Sequence, residues 1–161
     1  MKKWFLIAAL AAKFVLDCLP DFFVEAVFMR PAGWIAASYC GVPLMFSPLA
    51  FTAGGVTLEI TRACSATDFF AMVAAFLAFA LPVGKAFVRI PAAIAAAWVV
   101  AIASNAARLV VLAKVDAFFP PSRIPAVHMA VGMAVFFTVF VFLWYTISQR
   151  KESTNETNER E

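Results

Sequence analysis

IPAAIAAAWVVAIASNAARLVVLA, residues 90–113, is the stretch that decides the fold. It holds no acidic residue, and its one charge, Arg108, lies near its end. About 20 apolar residues suffice to cross a bilayer at the rise of an α-helix, so the stretch predicts a transmembrane helix. Pro91 falls in its first turn, where a missing N–H is tolerated, and the many alanines permit close packing against neighbours.

Working outward, three further apolar runs follow the same pattern. They are about Trp4 to Leu19, about Ser65 to Pro82 and about Ala126 to Ile147. The chain of 161 residues is 64% hydrophobic, with a mean hydropathy of +0.89. A soluble domain is nearer half apolar. The predicted fold class is therefore all-α, a polytopic membrane helix bundle of about four transmembrane helices. With no linker inside it, residues 1–151 form a single integral membrane domain. Residues 152–161 (ESTNETNERE) have no apolar content and are expected to be a disordered polar cytoplasmic tail.

The region between the first two runs is irregular. Residues 20–63 contain Pro20, Pro31, Pro43 and Pro48, together with Gly33, Gly41, Gly54 and Gly55. The apolar piece at 34–51 reads as a re-entrant, interfacial or distorted spanning segment. Gly54 to Glu59 (GGVTLE) reads as a turn into a short extended piece leading towards Cys64.

The net charge of +3 does not point to nucleic acid. Lys2, Lys3, Lys85, Arg89, Arg150 and Lys151 flank the apolar runs, as orientation signals on short cytoplasmic loops do. With both termini and the 82–90 loop inside, seven basic residues lie inside and five (Arg30, Arg62, Arg108, Lys114, Arg123) lie outside or at the outer boundary. An extra span within 20–63 would break this balance, so a re-entrant or surface segment fits better there. The first run has no small-x-small cleavage site after it, and Asp17 before Cys18 makes a poor lipoprotein site, so it reads as an uncleaved anchor. Lys13 within it reads as a partner for Asp17 at i+4 or as a side chain facing the bundle interior.

This orientation brings three reactive side chains to one face of the membrane. Cys64 opens the second span. Arg108 lies about 27 Å along the third at helical rise. His128 starts the fourth, and it is the sole histidine. Ser65-Ala66-Thr67-Asp68 matches a capping box, so Ser65 would cap the helix just after Cys64. The helix dipole and Arg62 would then both favour a thiolate, with Asp68 partly opposing them. Asn105 shares a helix face with Arg108 at i−3. Each residue also has a bland reading. Cys64 could be a buried structural cysteine, His128 a polar residue at a helix start, and Arg108 a snorkelling side chain on Asp116 or a lipid phosphate. One hypothesis, a membrane-boundary catalytic group, covers all three positions. The three cysteines form no C-x-x-C cluster, and no metal or cofactor is expected. Cys18 and Cys40 read as apolar filler, or as a pair outside the cytoplasm.

Cys64-Ser65 opening one helix, Asn105-Ala106-Ala107-Arg108 on the next and His128 opening the following one together resemble the exosortase/archaeosortase family of polytopic membrane enzymes. The resemblance covers roughly residues 55 to 147. The short length and the Cys-Ser-Ala-Thr-Asp-Phe-Phe stretch suggest a compact branch such as exosortase K. Two departures stand out. The family often has glycine after Cys-Ser, where Ala66 stands here, and many members have more spans.

The resemblance implies a membrane-embedded cysteine protease or transpeptidase in the cell (inner) membrane, active at the extracytoplasmic face. Its partners would be exported proteins with a C-terminal motif, a transmembrane helix and a basic tail, together with membrane lipid and no nucleic acid. Cys64 would be the nucleophile, His128 the proton carrier and Arg108 the oxyanion stabiliser, with Arg62, Ser65 and Asn105 in support. The alternative is a small non-enzymatic membrane subunit, a transporter element or assembly scaffold, in which Cys64 is dispensable.

Overall fold

The computed structural model describes residues 2–80, 86–115, 118–119 and 124–158. Its elements run α1 (Lys2–Asp17), α2 (Asp21–Val24), a π-turn (Glu25–Met29), α3 (Arg30–Cys40), β1 (Met45–Phe46), β2 (Leu49–Ala53), β3 (Val56–Glu59), a 3-10 turn (Arg62–Cys64), α4 (Thr67–Ala80), α5 (Ala86–Val115) and α6 (Ile124–Asn158). The four expected runs fall on α1, α4, α5 and α6. Among the described residues, two helices are long and apolar enough to cross a membrane, over Ile90–Val115 and Ile124–Thr146, and the apolar part of α4, Thr67–Ala78, is shorter.

α5 is the centre of the bundle and packs against α3, α4 and α6, while α1 packs against α4. The sequence explains this. Ala93, Ala97 and Ala101, spaced by four, place a row of methyl groups on one face of α5, and all three are buried. Such a stripe brings α4 close, and Ala66, Phe69 and Val73 fill against it. Phe136 of α6 closes this layer by stacking on Phe69 with centroids 4.4 Å apart. The outer side of α6 stays apolar and exposed, with Phe137, Phe142 and Trp144 among its residues. Lipid can satisfy such a face because a helix bonds its own backbone internally.

α2, the π-turn and α3 form one helical rod from Asp21 to Cys40. Pro31 lies inside it, lacks an N–H and crowds the carbonyl of Val27, four residues back. The wider π-turn precedes the proline, and Trp98 Nε1 of α5 donates to the Val27 carbonyl at 3.0 Å. The carbonyl that proline cannot serve is thereby satisfied from a neighbouring helix.

The segment expected at 34–51 to be re-entrant or interfacial is two different things. Its first part ends α3, and its second part enters a small sheet attached to a predominantly helical structure, so the expected helical class stands. β1, β2 and β3 make a three-stranded antiparallel sheet in that order. β2 and β3 pair from Ala50↔Glu59 to Ala53↔Val56 around the two-residue turn Gly54–Gly55. Both glycines have positive φ, 60° and 82°, which this tight hairpin turn requires. The expected turn and extended piece at Gly54–Glu59 is therefore present. The cross-strand pair Phe51 and Leu58 is buried beneath α3 and α5. Burial of side chains of this size contributes about 1.5–3 kcal/mol each.

The stretch expected as a disordered tail is helical as far as Asn158, where α6 ends. It contains no proline or glycine to stop the helix begun upstream. Residues 159–161 and 81–85, including Lys85, lie outside the described residues, and residues 86–90 of the expected loop belong to α5.

Candidate active site

The sheet delivers the cysteine. Ile60 N–H donates to the Leu49 carbonyl at 2.8 Å, extending the ladder one residue past β3. The chain then turns through Arg62–Cys64, where Cys64 N–H donates to Thr61 O at 2.8 Å and Ser65 N–H to Arg62 O at 3.0 Å. Cys64 is 7% exposed and belongs to the same core as Ile60, Ala106 and Leu109. The Thr61 hydroxyl lies 4.0 Å from Cys64 Sγ as a donor to sulfur. Thr61 is a residue that the sequence reading missed. Its only local signal is a hydroxyl three residues before the thiol.

α4 begins one residue later than the expected Ser65 cap. Phe70 N–H donates to the Ala66 carbonyl at 2.9 Å, which makes Ala66 the residue that opens the helix. Ser65 is buried, and its hydroxyl bonds with Thr67 Oγ1 at 3.0 Å. Ala66 has φ +59°, in the left-handed region. An L-residue there costs about 1–2 kcal/mol, and this is the position where the resemblance led one to expect glycine.

Asn105 and Arg108 reach this turn from α5. Asn105 is fully buried, and its Nδ2 donates a hydrogen bond to the Cys64 carbonyl. It therefore holds the backbone of the cysteine. Its Oδ1 is buried without a partner. Arg108 is 8% exposed, and its Nε is likewise buried without a hydrogen-bond partner. No ion pair among the described residues involves it. Asp116, considered as its partner, lies outside the described residues. The arginine lies over Gly132 of α6, where an added Cβ would stand 3.1 Å from Nε and 3.3 Å from Cζ. A buried charge with no counter-charge is costly, and here it stands on the same helix as Asn105, three residues on from the side chain that holds the Cys64 carbonyl.

His128 is half-buried in α6, one turn before Gly132. Residues four apart share a helix face, so His128 and the glycine that seats Arg108 are on one side of α6. Cys64 is thus tied to α5 through Asn105, and α5 to the His128 face of α6 through Arg108 and Gly132.

The other supporting candidate, Arg62, has a different engagement from the one expected. It pairs with Asp21 through Nη1, and its Nη2 donates to the carbonyls of Leu16 at 3.3 Å and Asp17 at 3.0 Å. It therefore closes the C-terminal end of α1, where free carbonyls and the helix dipole favour a cation. Asp68 is held by Lys13, at 2.6 Å, and Lys13 also meets Asp17 at 3.1 Å. The expected Lys13–Asp17 pair is present, with Asp68 added from α4. These two links, at Arg62 and Asp68, fasten the chain on either side of Cys64 to α1.

Between them opens a cleft of about 510 Å³. Ser65, Ala66, Thr67, Arg108 and Phe136 form its walls, with Lys13, Asp17 and Asp68 among its charged residues. Cys64, the residue before Ser65, is buried and is not among the residues that line the cleft. The arrangement offers a cleft that opens one residue along the chain from the thiol, with a mostly buried arginine in its wall that makes no ion pair among the described residues.

A family model described as transmembrane exosortase matches residues 4–145. No curated protein and no solved structure matches the chain.

Proposed function

The chain belongs to the transmembrane exosortase family, a family of cysteine-type protein-sorting transpeptidases, and from that premise we propose that it cleaves the C-terminal sorting signal of exported proteins through a Cys64 thioester at the extracytoplasmic face of the cell membrane. Arg108 carries this reading. A mostly buried arginine, its Nε without a hydrogen-bond partner, lines the same cleft as Ser65, the residue after Cys64, and a cation so placed suits an anion formed there.

The chemistry balances with these residues. The Cys64 sulfur adds to the scissile carbonyl and passes its proton to His128, while the carbonyl π pair moves onto oxygen beside Arg108. Collapse restores C=O and breaks the C–N bond, and His128 returns the proton to the departing amine. Water or a second amine then adds to the thioester, gives a proton to His128 and displaces the thiolate. Asn105 keeps the Cys64 backbone in place throughout. Arg62 and Ser65 act on the site through structure, the first by holding the turn to α1. The substrates would carry a short motif, an apolar helix and a basic tail.

The test is processing in cells of an exported protein bearing such a tail, with each variant's membrane level checked by immunoblot. Cys64→Ala should abolish cleavage. His128→Ala should be nearly as severe, because groups acting as a unit show non-additive losses. Arg108→Lys keeps the charge and loses the planar fork, so it should fall by about 10²–10³ in rate, as for a lost oxyanion donor. Normal processing by all three would replace this reading with that of a non-enzymatic membrane subunit.

A further inference from the structure

We propose that the backbone N–H groups of Ala66 and Thr67 form, with Arg108, a three-donor site for the oxyanion created when Cys64 attacks a carbonyl. This deepens the proposed function and rests on it for the identity of the nucleophile.

The geometry begins with two successive backbone conformations. Ser65 is right-handed helical, at φ −75° and ψ −18°, and Ala66 is left-handed, at φ +59°. A right-handed residue followed by a left-handed one turns consecutive N–H groups towards a common point, a concavity that binds anions. The Ser65 N–H is spent on Arg62 O. Ala66 and Thr67 stand at the opening of α4, where the helix itself supplies no acceptor for the N–H, and the dipole of its 14 residues adds positive potential there.

A helix start alone would not be a site. The independent observation is Arg108. More than nine-tenths buried, with an unpartnered Nε, it lines the same cleft as Ser65, Ala66 and Thr67 from the opposing helix. The residues carrying the two backbone donors and Arg108 therefore line one cleft, which begins at the residue after Cys64. The arrangement also gives the left-handed Ala66 a purpose. Backbone held in an unfavourable region is found where the surrounding structure fixes it for function, and a relaxed, right-handed Ala66 would turn the second N–H away.

The test separates oxyanion stabilisation from thiol access. In a protein carrying Cys18→Ala and Cys40→Ala, Cys64 is the sole thiol. The purified protein in detergent micelles is treated with p-nitrophenyl acetate, whose acyl transfer passes through an oxyanion, and separately with iodoacetamide, whose displacement does not. Release of p-nitrophenolate and loss of free thiol give a ratio of acylation to alkylation rates. Thr67→Pro deletes one N–H at the first helical position, where proline is at home. Thr67→Ala loses only the hydroxyl. The ratio for Thr67→Pro should lie about 10²–10³-fold below that for Thr67→Ala. A general disturbance would slow both reagents together and leave the ratio unchanged, and equal ratios overturn the proposal.

A second pair guards against misfolding at position 67. Ala66→Val cannot hold the left-handed backbone, and Ala66→Gly holds it without strain. The ratio for Ala66→Val should fall at least about tenfold below that for Ala66→Gly, and equality again overturns the proposal. Since the probe is a simple ester, these results stand apart from protein processing. Normal processing by Cys64→Ala in cells would remove the proposed function, whereas unaltered ratios remove only the backbone donors.

Discussion

Asn105, fully buried on α5, donates a hydrogen bond from its side-chain amide to the carbonyl of Cys64, 41 residues earlier in the chain. This bond fixes the turn that carries the candidate nucleophile to the central helix. Replacing Asn105 by Ala leaves the carbonyl unsatisfied in the core, at a cost of about 1–3 kcal/mol. Asn105→Asp should be worse, because a carboxylate would face the carbonyl oxygen. Thermal unfolding in detergent, read beside processing in cells, checks the order wild type, Asn105→Ala, Asn105→Asp. An Asn105→Asp protein as stable and active as wild type would show that the bond does not hold the site.

Gly132 is where α6 makes room for Arg108. An added methyl group would stand 3.1 Å from Nε and 3.3 Å from Cζ, inside ordinary contact, so the guanidinium must move. Alanine is otherwise the better helix former by about 1 kcal/mol. Gly132→Ala should therefore process at least about tenfold more slowly with unfolding unchanged or shifted upward. Loss of stability together with activity would mean that the glycine serves helix packing alone.

Ala66 occupies a backbone region that glycine enters freely. Ala66→Gly should raise stability by about 1 kcal/mol, the relief of left-handed strain less the greater freedom of the unfolded chain. The unfolding midpoint in one detergent measures this directly. A lowered midpoint would contradict the strain assigned to this position.

The proposed orientation, read from the basic flanks, has both termini and the 82–90 loop on the cytoplasmic side. Reporter fusions after Lys85 and after Asp116 should fall on opposite sides of the membrane. If both report from one side, α5 does not span, and the proposed extracytoplasmic placement of Cys64 fails.

The sequence alone determined the four long apolar helices, though not α2 and α3, and it singled out the residues of interest. Residues 90–113 announce α5 because a long apolar run without acids has few other stable forms in lipid, and Cys64, Arg108 and His128 stand out as reactive groups at the ends of such runs. The family resemblance read on Cys64-Ser65, Asn105-x-x-Arg108 and His128 agrees with the match over residues 4–145. The sheet was harder to see. Leu49, Ala50 and Phe51 are all buried, so β2 lacks the alternation that marks a half-exposed strand, and only the hairpin glycines gave it away. What the tertiary structure alone decided was the partner of each polar group. Arg62 closes α1, Asp68 binds Lys13, Asn105 holds Cys64, and Arg108 is seated on Gly132 with its Nε unpaired. Local spacing sets which residues share a helix face, but these partners lie on other helices. Their pairing follows from how the small-residue stripe of α5 lets α4 approach and how α6 closes over both.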